Sequence, residues 1–516
     1  MKELGTVISA EESPSTNEFL FVVSGKDVRK GQYVQVGRKE EPIIATVSDI
    51  FSANRYFERA ESVSEYEKNF SKNGGSFSEQ FPVSDWEYLV AKCAVQGTYS
   101  QGRPAGRVGL PPSPGAKVFE APHETISEFL MLDPDGLHLG KMLAHELEVK
   151  VNLGKMLQKH LAILAMSGAG KSVLATAIIE ELLARKKEGG RIGAVVFDLH
   201  GEYVSFADKR RNFGWAANTE VVDARKIRIA TRRLSFAASE LLAGMSSVQS
   251  RELKNAVNHL RETNVDEEGH AIPFDLSDVK RHVEANDDIK DNVKGPLLAA
   301  IGELGSLRLF AKRDYPRAKD LVKPGKLCVV DISAITNQRK KQMIVASMGG
   351  KLFSHRRNGK ICPFLMVVEE AHNFAPEQTR KGTSAAASRA AIEKIAREGR
   401  KFGACLCLIS QRPAHLSSTA LAQCNTFCIL RVTNPNDIDH IGQSCEAMDS
   451  GALGQITTLR VGEGVILGEA VSSPVFVKFR NQKIIKAGKH GALEEIAKKF
   501  EEGGKEIADA DVEAFI

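Results

Sequence analysis

The rhythm of apolar and polar positions changes near residue 123. Before it, apolar residues come in short β-branched or aromatic runs, GTVISA, EFLFVVSG, GQYVQVG and PIIATVSDIF, with Gly, Asn, Pro and Lys between them at roughly even spacing. Such runs predict a small barrel or sandwich. A polar stretch from Arg55 to Asn73 has helical character and ends at Gly74-Gly75, after which WEYLVAKCAVQGTYSQG resumes the strands. The Pro- and Gly-rich VGLPPSPGAKVFEAP then reads as a domain edge. Beyond it, strongly apolar strands alternate with helical segments: HLAILAMS, GAVVFDLHGEY, KLCVVDIS, PFLMVVEEAHNF, ACLCLISQRP and TFCILRVT. Strands apolar on both faces, with helices between them, predict a parallel sheet covered on both sides and an α/β fold.

Between Thr231 and Pro324 the strands vanish. LSFAASELLAGM, SSVQSRELKNAVNHLRE and VKGPLLAAIGELGSLRLF read as amphipathic helices, a helical insertion within the α/β domain. The expected division is therefore a β-barrel over 1–122, an α/β core in two parts over 123–230 and 325–481, the insertion over 231–324, and a Lys- and Glu-rich tail over 482–516. The tail is expected to be a helix or a flexible arm.

Composition narrows the class without choosing a function. At 42% hydrophobic and 26% charged residues the chain reads as a soluble globular protein. A net charge of +5 permits contact with nucleic acid but does not argue for it. The start, MKELGTVISAEESPS, has no apolar signal core, and no apolar run is long enough to cross a bilayer, so a cytoplasmic protein without a membrane is expected. The 8 cysteines form no C-x-x-C pair. Cys424 and Cys428 lack a matching second pair, so no zinc site is expected, and a reducing compartment fits.

The chemistry gathers at strand ends. HLAILAMSGAGKSVLATAII is an apolar strand, a loop of small residues and a helix start. Backbone N–H groups of Ser167, Gly168, Ala169, Gly170, Lys171, Ser172 and Val173 can wrap phosphate oxygens at the helix N-terminus. Lys171 reaches the β- and γ-phosphates, and the Ser172 hydroxyl ligates Mg²⁺. ATP and Mg²⁺ are thus the expected cofactors. Ala165 stands where the pattern G-x-x-x-x-G-K-[ST] has its first glycine; alanine serves there if its φ stays negative.

A phosphate loop needs acids on another strand, and FLMVVEEAHNF ends in Glu369 and Glu370. Glu369 is assigned to the Mg²⁺ shell and Glu370 to polarising the attacking water. Gln411, ending CLCLISQ, is placed to sense the γ-phosphate or only to satisfy its own turn. Asp198 reaches the same site if its strand neighbours the loop strand. His200 is either a ligand or a hydrogen-bonded core histidine. Arg397, Arg400 and Lys401 offer an arginine for charge on the transferring phosphoryl group, or a solvated helix end.

Taken in order, HLAILAMSGAGKS, VVFDLHGEY, VVEEAHNFAP, EGRKFG and ISQRP resemble the HerA family of archaeal and bacterial DNA translocases. The β-rich N-terminus resembles that family's small barrel, and GLHLGKM resembles its lead-in to the core. The resemblance spans nearly the whole chain. It implies a RecA-like P-loop ATPase core, a homo-hexameric ring, ATP hydrolysis at subunit interfaces and double-stranded DNA in a central channel. It also implies a NurA-type nuclease as partner and a role in processing broken DNA ends beside the break-repair complex. Lys171 and Ser172 match the family's loop, Glu369 and Glu370 its acidic strand, Gln411 its sensor and Asp198 its D-x-H-G-E-Y acid. Arg400, with Arg397 behind it, matches the arginine that acts in trans. Ala165 departs from the family's usual glycine, and Glu-Glu in place of Asp-Glu is a milder departure. Arg380 and Lys381 in TRKGTSAAASR are candidate DNA contacts. A conjugation- or secretion-type ATPase moving single-stranded DNA or protein, and a non-hydrolysing nucleotide-binding ring scaffold, remain the alternatives.

Overall fold

Seven strands form the N-terminal part. They are β1 (Glu3–Ile8), β2 (Glu18–Val23), β3 (Tyr33–Val36), β4 (Ile43–Ala53), β5 (Tyr88–Ser100), β6 (Arg103–Gly106) and β7 (Lys117–Glu120). A computed structural model describes the chain except residues 10–12, 26, 38–40, 55–56, 58–59, 72–85, 101–102, 107, 235–244, 269, 380–383, 446–449, 486–496, 499–500 and 502–516. The strand order is β2-β1-β7-β3-β4-β5-β6, and a further β2–β5 pairing closes six of the strands into a barrel, which leaves none of those six with an open edge. Phe19, Phe21, Val34, Val36, Ala45, Val47, Ala91 and Val118 fill its interior. β7 was expected to be a domain edge. Its four residues KVFE lie among Pro and Gly and carry no strand signal of their own, yet they pair with both β1 and β3.

After β8 (Leu137–Met142) and β9 (Glu148–Val151), a hairpin, the parallel sheet begins. It contains β10 (Leu161–Leu164), β11 (Gly193–Asp198), β12 (Thr219–Asp223), β15 (Leu327–Asp331), β16 (Phe364–Val368), β17 (Ala404–Ser410) and β18 (Thr426–Leu430). The order is β12-β15-β11-β16-β17-β10-β18, every pairing parallel. All residues of β10, β16, β17 and β18 are buried, as strands covered by helices on both faces must be.

Two two-residue strands, β13 (Ile229–Ala230) and β14 (Phe310–Ala311), pair in parallel and bracket the helical insertion. Its described helices are Ser247–Thr263, Leu276–Ala285 and Asp291–Ser306. Side-chain capping boxes start the first two, Ser246 with Gln249 and Asp275 with Asp278. Most of the expected helix LSFAASELLAGM lies outside the described residues. β19 (Glu463–Gly468) and β20 (Val475–Phe479) pair with each other, and β20 pairs with β8.

The chain divides into two compact units. One is Met1–Asn152 with Ala447–Gln455 and Glu463–Phe479; the other is Leu153–Glu446 with Ile456–Gly462 and Arg480–Ile516. Residues 123–152, β19 and β20, expected within the α/β core, thus group with the barrel. Among the described residues no helix is long and apolar enough to cross a membrane.

Two buried polar groups hold the second unit together. His160, at φ 65°, sits at the foot of β10. Its Nδ1 accepts the Leu406 N–H at 3.0 Å, so Nε2 carries the hydrogen it donates to Ala396 O at 2.9 Å. Burial pushes this imidazole down to about 4, which keeps it neutral. Glu180, 0% exposed, lies on the helix that follows β10. It accepts from Arg480 Nη1 at 2.7 Å and from the N–H groups of Lys483 and Ile484 at 2.6 and 2.8 Å. The start of the expected tail is therefore docked. Arg480→Ala leaves a buried carboxylate without its cation and is expected to cost about 3–5 kcal/mol, read as a lower denaturant midpoint.

Candidate active site

β10 runs into the small-residue loop while still bonded on both sides. The Ala165 N–H donates to Ser410 O at 3.2 Å, and the Met166 N–H to Arg431 O at 2.9 Å. Ala165 is fully buried and is not among the residues of positive φ, so alanine holds this position without backbone strain. The turn is made later, by Gly168 at φ 76° and Gly170 at φ 111°. A side chain at Gly170 would be strained by that φ and would press on Leu430 Cδ2 at 3.4 Å.

Gly170 caps the helix Lys171–Ala184, whose N-terminus receives no side-chain cap and has no acidic residue in its first turn. First-turn N–H groups have no partner within a helix, so this end offers bare donors and a partial positive charge. Ser167 and Gly168 are exposed, Ala169 is buried, and Gly170, Ser172 and Val173 are half-buried. Lys171 Nζ bonds Ala165 O and Met166 O, each at 3.2 Å. Burial lowers its pKa, while Glu370, Glu369 and Glu202 raise it. These three carboxylates therefore face the loop's lysine.

The acids reach it across an intervening strand. β17 lies between β16 and β10, with Leu164 opposite Ser410. Gln411, next in sequence, stands at the strand ends between the loop and the acids. Glu369 is 3% exposed and accepts the Leu199 N–H on Oε2 at 3.2 Å. Burial first, then Asp198 and Glu202, push its carboxyl up to about 8. An adjacent cation reverses that preference, and a hydroxyl and a carboxylate oxygen suit Mg²⁺. Ser172 and Glu369 thus fit the metal shell. Glu370 adopts φ 46°, ψ 52°. That left-handed backbone costs a non-glycine residue about 1–2 kcal/mol and is the kind of strain kept at functional sites. Its Oε2 is buried with no hydrogen-bond partner among the described residues, an acceptor suited to a water.

Asp198 does something else. β11 is three strands from β10, so the condition for reaching the phosphates fails. Its Oδ1 accepts from the N–H groups of His200, Gly201 and Glu202, and its Oδ2 from Tyr203 at 2.9 Å. Asp198 shapes the turn that aims the Leu199 N–H at Glu369. His200 is exposed and is not a core histidine.

Arg397 and Arg400 are not brought to the loop of their own chain. They precede β17, whose seven residues at about 3.3 Å each put them about 20 Å from the strand ends that carry the site. Arg400 is exposed, and Arg397, 51% exposed, pairs with Glu393 at 3.5 Å. Arg380 and Lys381 lie outside the described residues. Sequence reasoning missed His372 and Ser410, whose Nδ1 and Oγ are 3.1 Å apart, and Arg431, whose Nε is buried without a partner among the described residues. The signal for His372 was its place in the turn just past the paired acids.

A small-residue loop at a bare helix start, a lysine within it and acids two strands away define a P-loop ATPase fold. Residues 137–352 match the family model "Helicase HerA, central domain". The chain is 26% identical to the DNA double-strand break repair helicase HerA of Pyrococcus furiosus, over 95% of this chain and 94% of that protein. It is 25% identical to the protein of the same name in Sulfolobus acidocaldarius, over 97% and 98%. VirB4 of Thermoanaerobacter pseudethanolicus shares the fold, with a TM-score of 0.52 at 15% identity, covering 68% of this chain and 98% of that one. Residues 137–352 thus match the HerA central domain, and nearly the whole chain is similar to HerA break-repair helicases.

Two tests follow from the geometry. Ala165→Gly is expected to change nucleotide Kd by less than about threefold, measured by titration, because the strain-bearing positions lie elsewhere. Glu369 has a folded pKa above its ordinary 4.5, so its protonated form stabilises the fold. That contribution is full below about 4.5 and is lost as pH rises through about 8. In chelator, the wild-type Tm is expected to fall between pH 5 and pH 8 by more than that of Glu369→Gln.

Proposed function

We propose that this chain is an ATP-driven double-stranded DNA translocase and helicase that acts in DNA end resection and double-strand-break repair. The observation that supports it most is Lys171 at a bare helix N-terminus with Glu369 and Glu370 facing it. The names of its full-length relatives, break-repair helicases, support the direction of that reading.

The amides of residues 167–173 and the Lys171 ammonium hold the phosphates of ATP, and Ser172 and Glu369 hold Mg²⁺. The metal, when bound, neutralises charge on the phosphate oxygens. Glu370 orients a water in line with the γ-phosphorus. The water's oxygen bonds to phosphorus, the bond to the β–γ bridging oxygen breaks, and ADP leaves. Gln411 reads the terminal phosphate from the neighbouring strand end. Arg400 acts on the site of the next subunit, since its own is about 20 Å away. That requires a ring, and a homo-hexamer is the proposed form, with a NurA-type nuclease as partner. DNA contacts through phosphates make binding sequence-independent and salt-sensitive. Such a motor works in the cytoplasm, without a membrane.

Linear duplex DNA is expected to stimulate the ATPase more than single strands or protein do. Lys171→Ala abolishes turnover, whereas Glu370→Gln retains nucleotide and loses turnover. Arg400→Ala is inactive alone but regains part of its activity in rings mixed with Lys171→Ala subunits. Turnover that survives Lys171→Ala would sink the assignment, and mixed rings without recovery would remove the arginine from it.

A further inference from the structure

His372 lies two residues past Glu370, in the short turn Ala371–Asn373 that follows β16. Its Nδ1 is 3.1 Å from Ser410 Oγ and 3.5 Å from Glu370 Oε2. The first contact is a hydrogen bond. The second is close but lacks hydrogen-bond geometry, and Glu370 Oε2 is left without a partner among the described residues. Ser410 is fully buried at the end of β17, and its Oγ also accepts the Arg412 N–H at 3.0 Å.

Burial, with His415, Arg412 and Lys171 nearby, pushes the His372 imidazole down to about 4, so it is neutral. A neutral imidazole has one N–H. A bare Nδ1 would set its lone pair against the Glu370 carboxylate, so the hydrogen belongs on Nδ1. Two acceptors then compete for one donor, and Ser410 holds it.

We propose that His372 is a positioning residue for Glu370, with one Nδ1–H passed between Ser410 Oγ and Glu370 Oε2. While Ser410 holds the hydrogen, Glu370 Oε2 is free to take the attacking water. When Ser410 withdraws, the imidazole captures the carboxylate and hydrolysis stops. Gln411 follows Ser410 directly, so the strand end that reads the terminal phosphate also controls the glutamate. This inference rests on the reading of Glu370 as the water-orienting group.

Nitrogen NMR of the nucleotide-free full chain, labelled with ¹⁵N-histidine, tests the local part. The His372 signal is identified by its loss in His372→Ala. Glu370→Gln alone is expected to leave the Nδ1 resonance nearly in place. Ser410→Ala moves it, and adding Glu370→Gln to Ser410→Ala moves it again. A Ser410→Ala resonance that ignores Glu370→Gln overturns the proposal.

Steady-state kinetics tests the consequence. Ser410→Ala is expected to lower kcat about tenfold with KM for ATP within about twofold, the mark of a group that acts beyond binding. In a His372→Ala background Ser410→Ala adds no further loss, whereas His372→Asn, which keeps an N–H near the Nδ1 position, preserves that loss. Simply additive losses, or a raised KM at unchanged kcat, overturn the proposal. A wild type that shows the NMR coupling but does not hydrolyse ATP upholds the exchange of hydrogen-bond acceptors and sinks the ATPase reading alone.

Discussion

The site is organised by one buried ammonium group facing an excess of carboxylates. Lys171 has Glu370, Glu369 and Glu202 around it, and Asp198 lies just behind Glu369. One cation does not balance that many acids in a place largely shut off from water, and Glu369 accordingly tends to keep its proton. The helix that starts at this lysine presents first-turn N–H groups that no side chain caps. An excess of acids beside an uncapped helix start is what the proposed magnesium nucleotide would balance.

This arrangement depends on strand order. Parallel strands deliver their C-terminal ends to one edge, where the loop after β10, the acids after β16 and Gln411 after β17 meet. Placing β17 between the other two leaves a strand's width between the loop strand and the acidic strand. It also puts Ser410 beside the turn after β16, where His372 Nδ1 lies 3.1 Å from Ser410 Oγ and 3.5 Å from Glu370 Oε2.

Much of this was legible in the chain. The apolar runs marked the parallel strands because burial on both faces leaves no polar alternation to misread, and the small residues marked the loop because the turn at Gly170 excludes side chains. Lateral order was not legible. Nothing in Asp198's surroundings tells that its strand lies three places from the loop, or that four backbone N–H groups occupy it. That β17 separates the acids from the loop was not legible for the same reason. β7 was missed because four residues between prolines and glycines acquire strand character only from their neighbours β1 and β3. The left-handed Glu370 leaves no mark in composition at all.

The pairing of Glu180 with residues 480–484 limits how this protein can be shortened. A version cut before Arg480 would strand a fully enclosed carboxylate on the very helix that begins at Lys171. Trimming that spares the segment through Ile485, whose N–H donates to Asn212, keeps that support intact. The practical boundary for any minimal version is therefore set by electrostatics beneath the loop helix, in the six residues just after β20.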